Sequence, residues 1–294
     1  MSETMDFRLV LDLQAGVAES PLWDAARDLL WLCDIPARRL LAYAPSSARV
    51  TEHRFPEVVA SLGLCRSGRL VVAQKRSVLL FDPETGRSEP LAELDDEPDC
   101  NRLNDGKVGP DGHFWVGSMN NLPDKTPSGA LYRISPSGKV ERKLEGFTIS
   151  NGLAWSPDGT RLYHADTRGP WIDTWDFDAT RGEITNRRRL ATVPNEEGRP
   201  DGGACDAQGN YWSAGASAGC INVFTPTGAL ARKLAFPVPA PTMPCFAGPG
   251  LDTLFVTSLR EGKPAEMLQA YPAMGGLFRL DGVPAGSPVA LFDA

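Results

Sequence analysis

The sequence predicts an all-β fold, a six-bladed β-propeller with four-stranded antiparallel blades, and three observations carry that prediction. One motif, a polar turn followed by a short apolar strand, recurs six times; its spacing stays in the forties; and helical periodicity is almost absent between the copies. The copies read "DAARDLLWLCD" from residue 24, "CRSGRLVVAQK" from 65, "GPDGHFWVGSM" from 109, "SPDGTRLYHAD" from 156, "CDAQGNYWSAG" from 205 and "GPGLDTLFVTS" from 248. One strand residue in each serves as a marker: Trp31, Val71, Trp115, Tyr163, Trp212 and Phe255, separated by 40, 44, 48, 49 and 43 residues. An interval of that size holds four short strands with their turns, one blade per repeat.

Within each copy the turn residues Gly, Asn and Asp tolerate positive φ, and the aromatic and β-branched residues behind them favour a pleated surface. Behind several markers come second turn-plus-strand segments, "LLFDPETGRSEPLAEL", "LYRISPSGKVERKL", "TWDFDATRGEITNRRRL" and "NVFTPTGALARKL", where the outer hairpin of a blade belongs. "DFDATRGE" from 176 has the spaced acids of a calcium loop, but Arg181 stands sixth, where that loop needs glycine, so it reads as a hairpin turn. The proline-rich "FPVPAPTMPC" reads as a crossover between blades near the channel mouth. A pair of β-sandwiches would not produce so regular a recurrence, and no linker interrupts the chain, so residues 1–294 are expected to form one domain.

Composition excludes several classes of function. With 42% hydrophobic and 23% charged residues the chain is that of an ordinary globular protein, and no run approaches the 18 apolar residues of a membrane span. The N-terminus "MSETMDFRLVLDL" has acids where a secretory signal has a basic start, which predicts a cytoplasmic protein. A net charge of −7 argues against nucleic acid as a partner, and the short basic run Arg187 to Arg189 reads as a solvated strand or turn face. Six dispersed cysteines without a C-x-x-C pair predict reduced thiols rather than disulfides or a zinc knuckle. Nothing points to an obligate protein partner.

In a propeller the innermost strand of every blade lines the central channel, so one position of the repeat converges from several blades on one point. Counting back eleven to thirteen residues from the markers reaches Glu19, Asn151, Asp201, Asn104 and Arg102. Grouping such polar residues in a partly desolvated channel is costly unless something pairs with them. Glu19, Asn151 and Asp201 offer two carboxylates and an amide oxygen, the hard donors of a divalent cation, Ca²⁺ first, with Mg²⁺, Mn²⁺, Zn²⁺ and Fe²⁺ behind it. Gly202 and Gly203 are expected to let the backbone pass close to that site. Taken singly, each of these Asp and Asn residues would read as a turn cap; it is their equivalent offsets that make the site.

The segments "AESPLW", "NRLNDGKVGPDG", "ISNGLAWSPDG", "RPDGGACDAQGNYW" and "PTMPCFAGPGLDTLFVTS", in that order across nearly the whole chain, resemble the gluconolactonase, regucalcin and senescence marker protein family. The resemblance implies a six-bladed propeller with one divalent metal in its channel. It implies that Glu19, Asn151 and Asp201 hold that metal and that Arg102 and Asn104 contact the substrate. Relatives can carry acids in the lid that follows; here "GSMNNLPDKTPSGALY" has Asn120 and Asn121, which become neutral substrate-contact candidates.

The expected activity is therefore a metal-dependent lactonase that opens a sugar acid lactone, a small-molecule substrate, to its aldonic acid in carbohydrate catabolism. One ion can polarise the carbonyl and activate water, with Asp201 as general base as well as ligand. Two other readings stay open: a calcium-binding or scaffold propeller without turnover, and a metal-dependent esterase or phosphotriesterase on the same site. "GASAG" at 215–219 fits a nucleophile elbow, but strand-like sequence follows it and His53, His113 and His164 all precede Ser217, so a serine hydrolase is not expected. Lacking metal-binding spacing, the histidines are expected to have structural or surface roles.

Overall fold

A computed structural model describes residues 6–294. The first of its strands, β1 (Arg8–Leu11), belongs to the last blade. Blade one is β2 (Ala18–Asp24), β3 (Leu29–Asp34), β4 (Arg39–Ala44) and β5 (Arg49–Arg54), and blade two is β6 (Val59–Leu64), β7 (Leu70–Gln74), β8 (Ser77–Asp82) and β9 (Arg87–Glu93). Blade three is β10 (Asn101–Val108), β11 (Phe114–Asn120), β12 (Gly129–Ile134) and β13 (Val140–Phe147), and blade four is β14 (Ser150–Trp155), β15 (Arg161–Asp166), β16 (Trp171–Asp178) and β17 (Glu183–Thr192). Blade five is β18 (Pro200–Cys205), β19 (Tyr211–Gly215), β20 (Cys220–Phe224) and β21 (Leu230–Ala235). Blade six is β22 (Pro241–Ala247), β23 (Thr253–Ser258) and β24 (Leu277–Asp281), completed by β1, which pairs antiparallel with β24. The six-bladed, four-stranded antiparallel architecture is the expected one. The seam that closes the ring between the chain's two ends had no signal in the repeat, because β1 lies outside it.

All six markers fall on the second strand of a blade, and the four secondary segments are the outer hairpins β8–β9, β12–β13, β16–β17 and β20–β21. The opening turns explain the repeated Asp-to-aromatic spacing. Asp24, Asp111 and Asp206 accept the indole N–H of Trp31, Trp115 and Trp212, and Asp206 also caps the backbone N–H of Gln208 and Asn210, each at 2.9 Å. First strands pack against first strands around the axis, while the fourth strands face solvent. Between blades lie apolar layers such as Trp115, Trp155, Trp175 and Phe177.

The proline-rich segment is the crossover from β21 to β22, and Asp178 closes the β16–β17 hairpin by accepting the N–H and hydroxyl of Thr180. The Arg187 to Arg189 run is more engaged than a solvated face: Arg187 and Arg189 both pair with the buried Asp173 and lie 5.0 Å over the ring of Trp171. All six cysteines are free. Among the described residues no helix is long and apolar enough to cross a membrane. Residues 1–5, which carry part of the reading of the N-terminus, lie outside the described residues.

Two features decide where chemistry can happen. Residues 283–294 run across one end of the channel, with Ser287 N–H on Cys205 O at 3.0 Å and Phe292 N–H on Leu64 O at 2.8 Å. That end is where the inner strands finish. At the other end every inner strand breaks register with its neighbour: the shifts fall at Glu19/Leu22, Val59/Ser61, Leu103/Gly106, Asn151/Ala154, Pro200/Gly203 and Pro241/Pro244. A bulge re-aims side chains out of the sheet's alternation, here at the start of each inner strand.

Candidate active site

The bulges bring the predicted residues together. Asn151 donates from Nδ2 to Asp201 Oδ1 at 2.7 Å and to Thr167 Oγ1 at 2.8 Å, while its Oδ1 accepts Asn104 Nδ2 at 3.1 Å. Asn104 also donates to Ser150 O at 3.0 Å and accepts Arg102 Nη1 at 2.8 Å, so its amide orientation is set at both ends. Arg102 continues the chain to Leu103 O at 2.9 Å and, through Nε, to Asn121 Oδ1 at 3.3 Å. Blades three, four and five are thus linked from Asn121 to Asp201 through one polar network. Glu19 enters from blade one, buried, its Oε2 accepting the N–H of Ser20, which itself sits at φ 51°.

Burial dominates the electrostatics. It pushes the Glu19 carboxyl well above its usual range, with repulsion from Asp201 and then Asp105 adding to it. Asp201 is raised to about 7 for the same reasons, burial first and Asp105 second, opposed by Arg199, Arg102 and Lys263. Arg102 is pushed down to about 10 by burial, against the attraction of Glu19, Glu261 and Asp201. Two carboxylates, Glu19 buried and Asp201 half-buried, that cannot both ionise cheaply are the donor set a cation would relieve. Among the described residues no group of three His, Cys, Asp or Glu side chains could hold a metal, so a site here has to draw on an amide oxygen. Glu19, Asp201 and the Asn151 amide fit that requirement. In the present network the Asn151 oxygen faces Asn104, and its NH₂ faces Asp201.

Three residues absent from the sequence-based list build this arrangement from behind. Asp105 Oδ2 accepts Leu153 N–H at 2.9 Å, holding the bulge that follows Asn151, and its buried Oδ1 has no partner. Lys107 donates to Gly203 O at 2.8 Å, holding the bulge that follows Asp201. The Tyr211 hydroxyl donates to Gly152 O at 2.8 Å. Asp105 and Lys107 belong to the same "NDGK" run as Asn104, but only the bulges reveal what they grip. Gly152 is a strict requirement: at φ 68° a Cβ would sit 2.4 Å from the Tyr211 hydroxyl. Gly202 and Gly203 make room for neighbours in the channel wall rather than for an ion, since a Cβ would strike Met243 at the first and Tyr211 at the second.

The lid, residues 121–128, follows β11. Asn120 is buried, and both ends of its amide serve the loop itself: Oδ1 accepts Leu122 N–H at 2.7 Å and Nδ2 donates to Thr126 Oγ1 at 2.5 Å. Asn121 is exposed and reaches Arg102. Lys125, passed over in the sequence reading, closes the loop onto Asn120 O at 2.9 Å. Elsewhere, Ser217 sits in an exposed turn, accepting Arg199 N–H and donating to Asn195 O, with no histidine bonded to it. His164 is buried beside Phe147 and Trp171 and shares a 2.7 Å hydrogen bond with Ser150 Oγ.

The chain is similar to known proteins over nearly its whole length. Residues 17–260 match the family model described as SMP-30/Gluconolactonase/LRE-like region. The chain is 32% identical to a 6-deoxy-6-sulfogluconolactonase of Pseudomonas putida, covering 95% of this chain and 94% of that one. It is also 32% identical to regucalcin of Macaca fascicularis, over 93% of each. Among solved structures, regucalcin of Agrobacterium tumefaciens, described as a calcium-binding protein, superposes with a TM-score of 0.90 at 28% identity over 98% of both chains.

Proposed function

The chain belongs to the SMP-30/gluconolactonase/LRE-like family, and on that premise we propose that it is a lactonase that opens an aldonolactone to its aldonic acid with the help of one divalent cation. The observation that carries this reading is the joining of Glu19, Asn151 and Asp201 to Arg102 and Asn104 at the open end of the channel. Relatives named as a sulfogluconolactonase and as a calcium-binding regucalcin support it.

Glu19, Asp201 and the Asn151 amide are the groups to hold the ion, Ca²⁺ first by donor type. Such an ion, when bound, supplies polarisation of the lactone carbonyl and acidification of water. Asp201 takes a proton from the water that attacks the carbonyl carbon and, as the ring C–O bond then breaks, returns it to the departing alkoxide, which leaves as a hydroxyl beside the new carboxylic acid. Its carboxylate accepts a hydrogen bond from Asn151 Nδ2 at Oδ1, which leaves acceptor capacity for that water. Arg102 spends Nε and Nη1 on Asn121, Leu103 and Asn104, which fixes the guanidinium plane and leaves Nη2 for a substrate oxygen. Asn104, clamped between Arg102 and Ser150, holds Asn151 in place.

The test is hydrolysis of glucono-lactone by protein stripped with chelator and then reloaded. Activity that disappears and returns supports the proposal, whereas full activity in metal-free protein refutes the metal's part in it. Tight calcium binding without turnover of any lactone or ester would instead favour a calcium-binding propeller, the reading that the Agrobacterium relative suggests.

A further inference from the structure

Both ends of the lid are fastened to one stretch, residues 97–102, which leads into β10 and ends on Arg102. At the lid's entry Asn121 donates its backbone N–H to Cys100 O at 2.8 Å, and its side chain accepts Arg102 Nε. At the exit the Asn101 amide grips Ser128 twice, Nδ2 donating to the carbonyl at 2.9 Å and Oδ1 accepting the hydroxyl at 2.7 Å. Asn101 is 1% exposed, and its Nδ2 also donates to Oε1 of Glu97 at 2.5 Å. Glu97 is itself 3% exposed, and its second oxygen accepts the hydroxyl of Tyr132 on β12. An amide and a phenol engage it, not a cation. A carboxyl is costly to keep in such surroundings. What it secures is the direction of one amide: turned over, Asn101 would set its oxygen against the Glu97 carboxyl and the Ser128 carbonyl, acceptor against acceptor.

We infer, resting on the lactonase reading above, that Glu97 is a positioning residue for substrate binding. Through Asn101 it locks the lid exit to the strand that carries Arg102, so that lid and guanidinium keep one fixed relation at the open end of the channel. Asn121 already ties the lid entry to Arg102, and a loosened exit therefore loosens the support of the guanidinium as well.

The experiment combines kinetics on an aldonolactone with amide hydrogen exchange, both on the full-length, metal-loaded protein. Glu97→Ala should raise KM about 10-fold, the scale of one hydrogen bond to a charged group, and leave kcat within about twofold. Exchange should quicken over residues 121–128 and stay unchanged in blades four to six. Glu97→Gln keeps an oxygen for Asn101 and should restore the wild-type KM. Tyr132→Phe removes only the other contact of Glu97 and should leave lid exchange as it is. If Glu97 acts on Ser128 through Asn101, Glu97→Ala and Ser128→Ala together should raise KM little beyond the larger single effect. Additive effects overturn the inference, as do an unchanged KM, a lid that exchanges as in the wild type, a Gln variant that behaves like Ala, or a Tyr132→Phe lid as loose as that of Glu97→Ala. Faster exchange throughout the chain also overturns it, since Glu97 would then brace the fold alone. Failure of the wild type to hydrolyse any lactone defeats the lactonase reading instead, and the exchange measurements still decide whether Glu97 holds the lid.

Discussion

Asn151 and Asp201, carried by neighbouring blades, meet through a 2.7 Å hydrogen bond from the amide nitrogen to the carboxylate. This contact neutralises nothing, yet it keeps a half-buried carboxylate from being wholly unpartnered. Asn151→Asp replaces the donor by a second negative charge at the same distance. The metal-free variant should melt below the wild type at neutral pH, by up to roughly 2–4 °C per kcal/mol of added repulsion, the scale for chains somewhat shorter than this one. Divalent metal should still bind and should close the gap. Thermal melts with and without metal measure both, and loss of metal binding would place the ion elsewhere.

Asp201→Asn keeps an oxygen donor but cannot accept a proton. Turnover at saturating metal is expected to fall by about 10²- to 10⁴-fold, the usual contribution of a general base. Steady-state kinetics across a metal titration separates this from weakened metal binding; recovery of activity at high metal would show that Asp201 serves as ligand alone.

The raised carboxyls of Glu19 and Asp201 set the sign of a pH effect in metal-free protein. A carboxyl whose folded-state pKa lies above its unfolded value holds its proton in the fold where the unfolded chain has lost it. Stability therefore declines as pH rises from about 4 toward about 7. The Tm of chelated wild type, measured against chelated Asp201→Asn so that His164 and the other titrating groups cancel, should drop across that window, and added metal should raise Tm more at pH 7 than at pH 5. Asp201→Asn should flatten the decline. His164 works in the opposite direction: burial pushes it down to about 3, so its contribution is full above about 6.5 and is lost as pH falls toward 3.

Asn120 and Asn121 are expected to behave differently. Asn120→Ala removes both internal bonds of the lid and should raise KM for every lactone alike, with faster amide exchange over residues 121–128. Asn121→Ala loses only the 3.3 Å contact with Arg102 and should leave the loop's exchange unchanged. A substrate-dependent effect of Asn120→Ala would show that its amide leaves the loop to meet the sugar.

Among uncharged five- and six-carbon aldonolactones, specificity constants should fall within about 100-fold, because two lost neutral hydrogen bonds amount to at most about 3 kcal/mol. A panel of epimers tests this, and turnover of one epimer alone would contradict it.

The repeat, the blade count and the inner-strand residues were legible in the sequence because turns and pleated strands are local: "DAQGNYW" announces its turn through Asp206, Gly209 and Asn210 and its strand through Tyr211 and Trp212. The equivalent offsets of Glu19, Asn151 and Asp201 could be counted for the same reason. Five candidate site residues, Glu19, Arg102, Asn104, Asn151 and Asp201, therefore stood out without a structure.

Tertiary structure decided what a linear pattern cannot encode. The bulges that turn those side chains into the channel exist only where two strands pair with unequal counts, so the roles of Asp105 and Lys107 stayed hidden although they sit inside a motif that had been read. The use of Asn120 by its own loop, the closing strand Arg8–Leu11, and the sealing of the far channel mouth by residues 283–294 are likewise facts of closure. Asn104, Asn151 and Asp201 lie far apart along the chain, and hydrogen bonds and Coulomb interactions depend on separation in space, which the ring of blades sets and the order of residues does not.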